Sequence, residues 1–126
     1  NIKKHENVMV QKFIPKIKHG DTRVFIIGGN IKGAIRRIPK KGSIVSNIGQ
    51  GGEAVETTLT TKQSHIARIV ARKLKKNKIV FAGIDLISNF LTGDINITSP
   101  TGLKNFKDLT GKDLAVDFWD YLEKKN

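Results

Sequence analysis

Short apolar runs separated by turn signals dominate the chain, and this pattern is typical of paired β-strands. β-Branched and aliphatic residues fill the runs, and Pro15 and Pro39 close the first and the third, because proline cannot donate to a sheet. Gly28-Gly29-Asn30 predicts a hairpin turn, since these residues accept positive φ at little cost. Ser88-Asn89 predicts a second turn between two apolar runs. The predicted strands are residues 8–14, 23–27, 31–38, 79–87 and 90–97.

Two other segments repeat apolar residues at helical spacing. Thr60 and Gln63 fit a capping box, in which the Thr side chain and the Gln side chain each bond the other residue's backbone. The apolar stripe behind it runs to Leu74, and Asn77 suits the C-terminal cap. Thr110 is predicted to cap the last helix. The apolar face of that helix consists of Leu114, Ala115, Phe118, Trp119 and Leu122.

Hairpin connections between strands, with helices beside them, predict an α+β fold: an antiparallel sheet backed on one face by helices. The 126 residues suffice for one domain and are too few for two, so residues 1–126 are predicted to form a single domain. Residues 40–56 contain four glycines and no sustained period. They predict a flexible loop over residues 39–57, and loops of this length are usually functional, so we expect a lid over a ligand.

Composition narrows the possible functions. The chain has no cysteine, which excludes disulfides, cysteine-based zinc sites and a thiol nucleophile. No apolar run approaches the roughly 20 residues of a membrane span, and the first residues lack the apolar core of a signal peptide. We therefore expect a cytoplasmic protein with no membrane partner. The chain begins with Asn rather than Met, which we expect to reflect excision from a longer protein, with processing as the alternative.

The net charge of +12 raises the question of a nucleic-acid partner. The lysines are dispersed along the chain, which favours a solvated surface over a binding stripe. A basic module that binds RNA or another polyanion remains an alternative. The positive electrostatic field of such a surface would also attract the phosphates of a small ligand.

The second hairpin carries polar side chains among core residues. With the turn at Ser88-Asn89, the register would place Asp94 opposite Gly83 and diagonal to Asp85, and Asn96 would share the face of Asp94. Carboxylate and amide oxygens suit hard cations, and Mg²⁺ is commonly held by one or two carboxylates together with substrate phosphates. The alternative is that the two acids only bond lysines or backbone N–H groups. A buried acid without such compensation would be costly.

Two arginines could bind the phosphates of a ligand together with this hairpin. Arg23 begins one predicted strand and Arg37 ends another, beside the glycine-rich loop. Guanidinium groups can neutralise a triphosphate during phosphoryl transfer. Arg36 faces the opposite side of its strand, so only one of the two neighbouring arginines is expected in the site.

Seven short motifs follow one another along the chain, at residues 9–15, 20–24, 37–39, 46–48, 51–52, 83–85 and 94–101. In this order they resemble the C-terminal part of bacterial glutathione synthetases, a family of ATP-grasp ligases, over nearly the whole chain from Met9. The Asn-Ile-Thr-Ser-Pro-Thr run is more specific to this family than the metal motif is.

The resemblance implies the C-terminal half of an ATP-grasp domain with ATP and two Mg²⁺ ions, or Mn²⁺ in their place. It implies that Arg23 and Arg37 contact phosphate or substrate. The metal ligands would be Asp85, Asp94 and Asn96. The remaining cofactor-binding or substrate-binding residues would be Gln11, Lys12, Phe13 and Ile14 at adenine, Asn47, Gly51 and Gly52 in the loop, and Ser99 and Thr101 near the peptide substrate.

The implied reaction is the ATP-dependent ligation of glycine to γ-glutamylcysteine through an acyl phosphate, in a full-length enzyme that is a homo-oligomer. The phosphate-binding lysines of the first half of the ATP clamp are not in these residues, so we expect the isolated chain to bind ATP weakly and not to turn over.

The chain also departs from the family pattern. Asp94 stands where a Glu is usual, and Gly93 is an apparent insertion that a β-bulge would accommodate. Val45 and Glu53 stand where arginines are usual in the loop. The alternative function is therefore that of another ATP-grasp carboxylate–amine ligase, one with a changed acceptor.

Overall fold

The computed structural model describes residues 7–44, 48 and 51–125, except for the side chains of residues 91–93. Its five strands form one antiparallel sheet in the order β3-β2-β1-β4-β5, so that β1 lies in the centre. The elements are a 3-10 turn at Pro15–His19, β1 at Asp21–Ile27, β2 at Asn30–Ile38, β3 at Glu53–Glu56, α1 at Thr61–Lys76, β4 at Phe81–Ile87, β5 at Phe90–Asn96, α2 at Leu103–Thr110 and α3 at Leu114–Lys125.

Both predicted hairpins are confirmed. Gly28 and Gly29 form the first turn with φ of 60° and 78°, which only glycine adopts without strain, and they join β1 to β2. Ser88 and Asn89 form the second turn, between β4 and β5. The α+β class and the antiparallel sheet follow from these two hairpins and the pairing of β1 with β4.

Helices cover both faces of the sheet, and the prediction that they back one face only is wrong. Val24 and Ile84 belong to the core under α1, whereas Phe25 belongs to a second core under α2 and α3. Every residue of β1 is buried. A continuous apolar run such as residues 24–27 is the signature of a strand that is covered on both faces.

The first long helix forms as its sequence predicts. The Thr60 side chain accepts a bond from the Gln63 backbone and the Gln63 side chain accepts one from the Thr60 backbone, which completes the capping box. Asn77 is the C-terminal cap, and its side chain donates to the Lys73 carbonyl. Leu74 lies in the core under this helix.

Other sequence predictions are wrong. Residues 8–14 have no sheet partner in the described part of the chain, and their apolar side chains are mostly exposed. Within the predicted loop 39–57, Glu53–Glu56 forms β3 because it pairs with β2. Residues 103–110 form α2, which was not predicted. Thr110 ends α2, and the Asp113 side chain accepts from the Ala115 N–H at the start of α3.

None of the helices in the described residues is both long enough and apolar enough to cross a membrane.

Candidate functional site

Four charged side chains are buried together on the α2–α3 face of the sheet. Strand pairing explains the cluster: Arg23 of β1 lies opposite Asp85 of β4, and Asp21 of β1 lies opposite Arg37 of β2. Asp21 and Arg23 are two residues apart and so share a face. Each of the four residues is less than 9% exposed. The sheet therefore brings two acids and two arginines into one charge-balanced cluster, which we call the charge cluster.

Hydrogen bonds connect all four members of the charge cluster. Arg23 binds Asp85 with two N–H groups, at 2.6 Å from Nε to Oδ1 and 2.8 Å from Nη2 to Oδ2. Arg37 donates two N–H groups to Asp21, and its Nη2 also lies 3.0 Å from Oδ2 of Asp85. Such bidentate, charge-assisted pairs are the strongest hydrogen bonds in proteins. Asp85 is thus held between two guanidinium groups.

The electrostatics of Arg37 follow from these contacts. Burial alone would lower the pKa of its guanidinium, but the hydrogen bond to Asp21 and the charges of Asp21 and Asp85 raise that pKa above its ordinary value. Arg37 therefore stays a cation in the site.

A β-bulge opposite Asp85 changes the strand register that was predicted for the second hairpin. Near the turn, Ile87 pairs with Phe90 as expected, but after the bulge Gly83 lies opposite Asn96. The predicted pairing of Gly83 with Asp94 is therefore wrong by two residues, because β5 contains extra residues opposite Asp85. Asn96, opposite Gly83, therefore occupies the position diagonal to Asp85 that was predicted for Asp94. Asp94 is exposed.

The segment after β5 folds back onto the charge cluster. The Asn96 side-chain oxygen accepts from the backbone N–H groups of Thr98 and Ser99, at 3.1 and 3.0 Å. This turn brings the Thr101 carbonyl to 3.1 Å from Nη1 of Arg23. Ser99 and Thr101 are both exposed. Two predicted substrate residues therefore lie on the turn beside the arginine.

An open groove of about 440 Å³ lies beside this face. One wall is the extended segment 11–14, and Ile87 contributes from β4. Ile87 is two residues from Asp85 on the same side of the strand, a distance of roughly 6.6 Å along it. The predicted adenine-contacting residues Gln11, Lys12, Phe13 and Ile14 thus line one groove together with Ile87, although they do not form a strand.

Three predicted residues belong to the long loop. Asn47 lies outside the described residues. Gly51 is exposed and Gly52 is half-buried. They immediately precede β3, whose residue Ala54 pairs with Arg37. The loop therefore ends near the charge cluster, without a described contact between either glycine and it.

Asp21 was missed as a site residue. A sequence signal was available: an acid three residues before a run as apolar as residues 24–27 is expected to be buried with a partner.

The donor set suits Mg²⁺ in its chemistry, with two carboxylates and an amide. In this structure, however, Asp85 is paired with Arg23 and Arg37, and the side-chain oxygen of Asn96 accepts from two backbone N–H groups. Metal binding would therefore require some of these contacts to be exchanged. Within the described ranges, no three His, Asp or Glu side chains form a metal-ligand cluster.

Comparison with known proteins connects this site to a family. The model for the ATP-grasp domain of prokaryotic glutathione synthetase matches residues 1–111. The glutathione synthetase of Bradyrhizobium diazoefficiens is 41% identical over 117 residues, which cover 93% of this chain and 37% of that protein. That of Rhodopseudomonas palustris is 38% identical over 117 residues, with the same two coverages. That of Prochlorococcus marinus is 43% identical over 108 residues, covering 86% of this chain and 35% of that protein.

The chain therefore spans little more than a third of the length of these relatives. The match of the family model to most of the chain, with the antiparallel sheet and the order of the motifs, shows that the chain belongs to the prokaryotic glutathione synthetase ATP-grasp family.

Proposed function

We propose that this chain is the C-terminal ATP-binding and Mg²⁺-binding part of a ligase that joins glycine to γ-glutamylcysteine with ATP. The observation that carries the proposal is that Ile87, which lines the groove at residues 11–14, lies two residues from Asp85 of the charge cluster on the same side of β4. A nucleotide needs a flat apolar site for its base and a charged site for its phosphates at a short distance from it. Both lie on one face here.

The groove suits a nucleobase for two reasons. Its lining includes Phe13, Ile44 and Ile87, which offer apolar surface to the ring. The backbone of residues 11–13 makes no hydrogen bond within the described part of the chain. These N–H and C=O groups can therefore bind the edge of adenine.

The charge cluster suits the phosphates. Arg23 is fixed by two bonds to Asp85 and one to the Thr101 carbonyl, so its position is defined before a ligand arrives. Arg37 bonds Asp21 with two donors and approaches Asp85 with one of them. We propose that Arg37 exchanges its contact with Asp85 for a phosphate oxygen while Asp21 keeps the guanidinium in place.

We propose that Asp85, Asp94 and Asn96 hold Mg²⁺, which would neutralise phosphate charge when bound. Two ions, and Mn²⁺ as a substitute, are part of the proposal. Asp85 would exchange at least one arginine contact to bind metal. Ser99 and Thr101 are proposed to face the peptide substrate, and Asn47, Gly51 and Gly52 to contact the nucleotide from the loop.

The cellular setting is also a proposal. ATP is a cytoplasmic substrate, so we place the protein there. We propose that the full-length enzyme is a homo-oligomer.

A chimera tests the function. The matched segment of the Bradyrhizobium diazoefficiens enzyme is replaced by this chain, and ADP release is measured with γ-glutamylcysteine and glycine, each omitted in turn. We expect turnover that requires both substrates. A folded chimera that binds ATP but responds to a different acid or amine would favour the alternative ligase and reject the proposed acceptor.

ATP binding by the chain alone tests the site. Calorimetry with ATP and Mg²⁺ is expected to show weak binding that Phe13→Ala weakens further, since the ring is lost from the groove. Val116→Ala removes an equally exposed apolar side chain from α3 and is the control. Equal effects of the two substitutions would contradict the groove as the base site.

A further inference from the structure

An apolar groove lies between α1 and the edge strand β5, and its volume is about 310 Å³. Ile66 and Ile69 line it from α1, and Ile95 lines it from β5. Ile95 lies opposite Ile84, which belongs to the core under α1, so the groove is on the α1 face of the sheet and away from the charge cluster. Ile69 and Ile95 are 43% and 37% exposed. We call this feature the α1–β5 groove.

The rim of the α1–β5 groove is cationic. Lys73 lines the groove itself. Lys62 and Lys76 lie about two helical turns before and after Ile69, so they share its side of α1. The helix contains no acid, and none of its lysines and arginines forms an ion pair within the described residues. The groove therefore combines apolar surface with positive charge that has no counterion in the described part of the chain.

The exposed side of α3 has the opposite charge. Val116, Trp119, Asp120 and Glu123 are exposed, and their i, i+3, i+4, i+7 spacing places them on one side of the helix. Neither of the two acids forms an ion pair with another described residue. We call these four residues the α3 ridge. It presents an apolar pair beside two negative charges.

Trp119 is the largest side chain of the α3 ridge and is 61% exposed. Phe118 packs against the second core, and its ring meets that of Trp119 edge-on, with the centroids 5.5 Å apart. A side chain restrained in this way loses less conformational entropy when it binds a partner. Tryptophan is also among the residues that most often dominate the affinity of a protein interface.

The two surfaces complement each other in charge and in size. The groove is at the lower end of the volumes that hold small ligands, and an indole ring is smaller than such a ligand. Helices that bind in apolar grooves use the spacing found in the α3 ridge. Because α1 and α3 lie on opposite faces of the sheet, a chain cannot bring its ridge to its own groove. A second copy can.

We propose that the α3 ridge of one copy docks in the α1–β5 groove of a second copy, with Trp119 in the groove and Asp120 and Glu123 beside Lys73 and its cationic neighbours. The contact is head to tail, so each added copy leaves one ridge and one groove free. A single helix buries little area, so we expect a dissociation constant of about 10–500 µM.

The overall charge of the chain does not prevent this contact. At physiological ionic strength, exposed charges more than about 8 Å apart are largely screened, so the net charge of +12 acts weakly between copies. The contact gives a surface to the homo-oligomer proposed above, and it does not depend on the proposed ligase reaction.

Sedimentation velocity and the emission of Trp119, the only tryptophan of the chain, measure self-association at constant ionic strength. We expect larger species and emission at shorter wavelength as the concentration rises, because the ring leaves water. Trp119→Ala and Ile69→Glu should each weaken association at least about tenfold. Phe90→Ala removes an aromatic ring that is 58% exposed, and Val10→Glu adds the same charge at an exposed apolar position, so these two variants are the matched controls.

A mixture of the two weakened variants tests the head-to-tail geometry. Ile69→Glu keeps the ridge and the tryptophan, whereas Trp119→Ala keeps the groove and has no tryptophan. Equal amounts of the two should form a 1:1 complex with Trp119 emission at shorter wavelength. A mixture that stays monomeric, or controls that weaken association as much as the two variants do, would overturn the proposal.

Other occupants give distinct results, each of which also overturns the proposal. The chain would remain monomeric up to about 500 µM, above the expected dissociation constant. Association that disappears after nuclease treatment would assign the α1 cations to a nucleic acid. A monomeric full-length protein, with the emission of a buried tryptophan in dilute solution, would assign the ridge to a contact within one chain.

Discussion

Asp85→Asn is the most informative single change in the charge cluster. The substitution keeps the size of the side chain but removes the negative charge that Arg23 and Arg37 share. Asp85 is 6% exposed and the two arginines are 4% and 8% exposed, so water cannot replace the lost partner. We therefore expect the fold to lose stability, apart from any effect on a bound metal.

The magnitude follows from the contacts. Removal of one partner from a buried ion pair costs about 3–5 kcal/mol, because the other charge is left without compensation. Arg37 keeps two bonds to Asp21, so most of the loss falls on Arg23, whose bidentate partner is Asp85. Against a total stability of about 5–15 kcal/mol, this is a large share. The double variant Arg23→Met/Asp85→Asn removes both charges and should recover about half of the loss or more.

Urea denaturation of the chain measures both effects. With a slope of about 1–3 kcal/mol/M, Asp85→Asn should lower the midpoint by at least about 1 M at unchanged slope. Asp94→Asn changes an exposed acid and should stay within about 0.5 kcal/mol of the parent chain. A loss below about 1 kcal/mol in Asp85→Asn, or a double variant no more stable than the single one, would refute the structural role of the cluster.

Three further substitutions test local features. In urea denaturation, Gly20→Ala should lower the free energy of unfolding by at least about 2 kcal/mol more than Gly42→Ala does. Both glycines have positive φ, but of the two only Gly20 would place a Cβ 2.1 Å from a backbone oxygen. Equal losses of stability in the two variants would contradict this. A hydrogen bond from Lys107 is the main cause that lowers the pKa of Asp113. Asp113 should therefore add stability that is fully present above its unfolded pKa of about 3.9 and is lost as pH falls through the lower folded pKa. Asp113→Asn should remove that part of the pH dependence of unfolding. Thr60→Ala removes half of the capping box and should cost about 1 kcal/mol in the same assay.

Local signals were sufficient for the hairpins and α1. Gly28-Gly29 and the Thr60–Gln63 pair act through backbone geometry and bonds within a few residues, so the sequence contains their cause. β3 is different, because it has four residues and forms by pairing with β2. Residues 8–14 show the converse, since strand propensity alone does not make a strand when the described chain offers no partner.

The site depends on contacts that no local pattern contains. Asp85 was recognised as a buried acid that needs compensation, and this expectation holds. Its partners are arginines of β1 and β2, however, and Arg23 is 62 residues away in the chain. The order of strands decides which cation reaches the acid. Asp94 illustrates the same dependence, because the bulge moves the later half of β5 by two residues relative to the simple hairpin register.

Arginine pairing and metal binding at Asp85 are compatible on physical grounds. A carboxylate with this degree of burial remains ionised only beside positive charge, and two guanidinium groups supply that charge in the present arrangement. A divalent cation would supply the same compensation. The contact with Arg37 is the easier one to exchange, because Arg37 bonds Asp21 with two donors whereas Arg23 is bidentate to Asp85 itself. The buried Asp21, which sequence reasoning missed, would therefore allow Arg37 to leave Asp85 without becoming an unpaired buried charge.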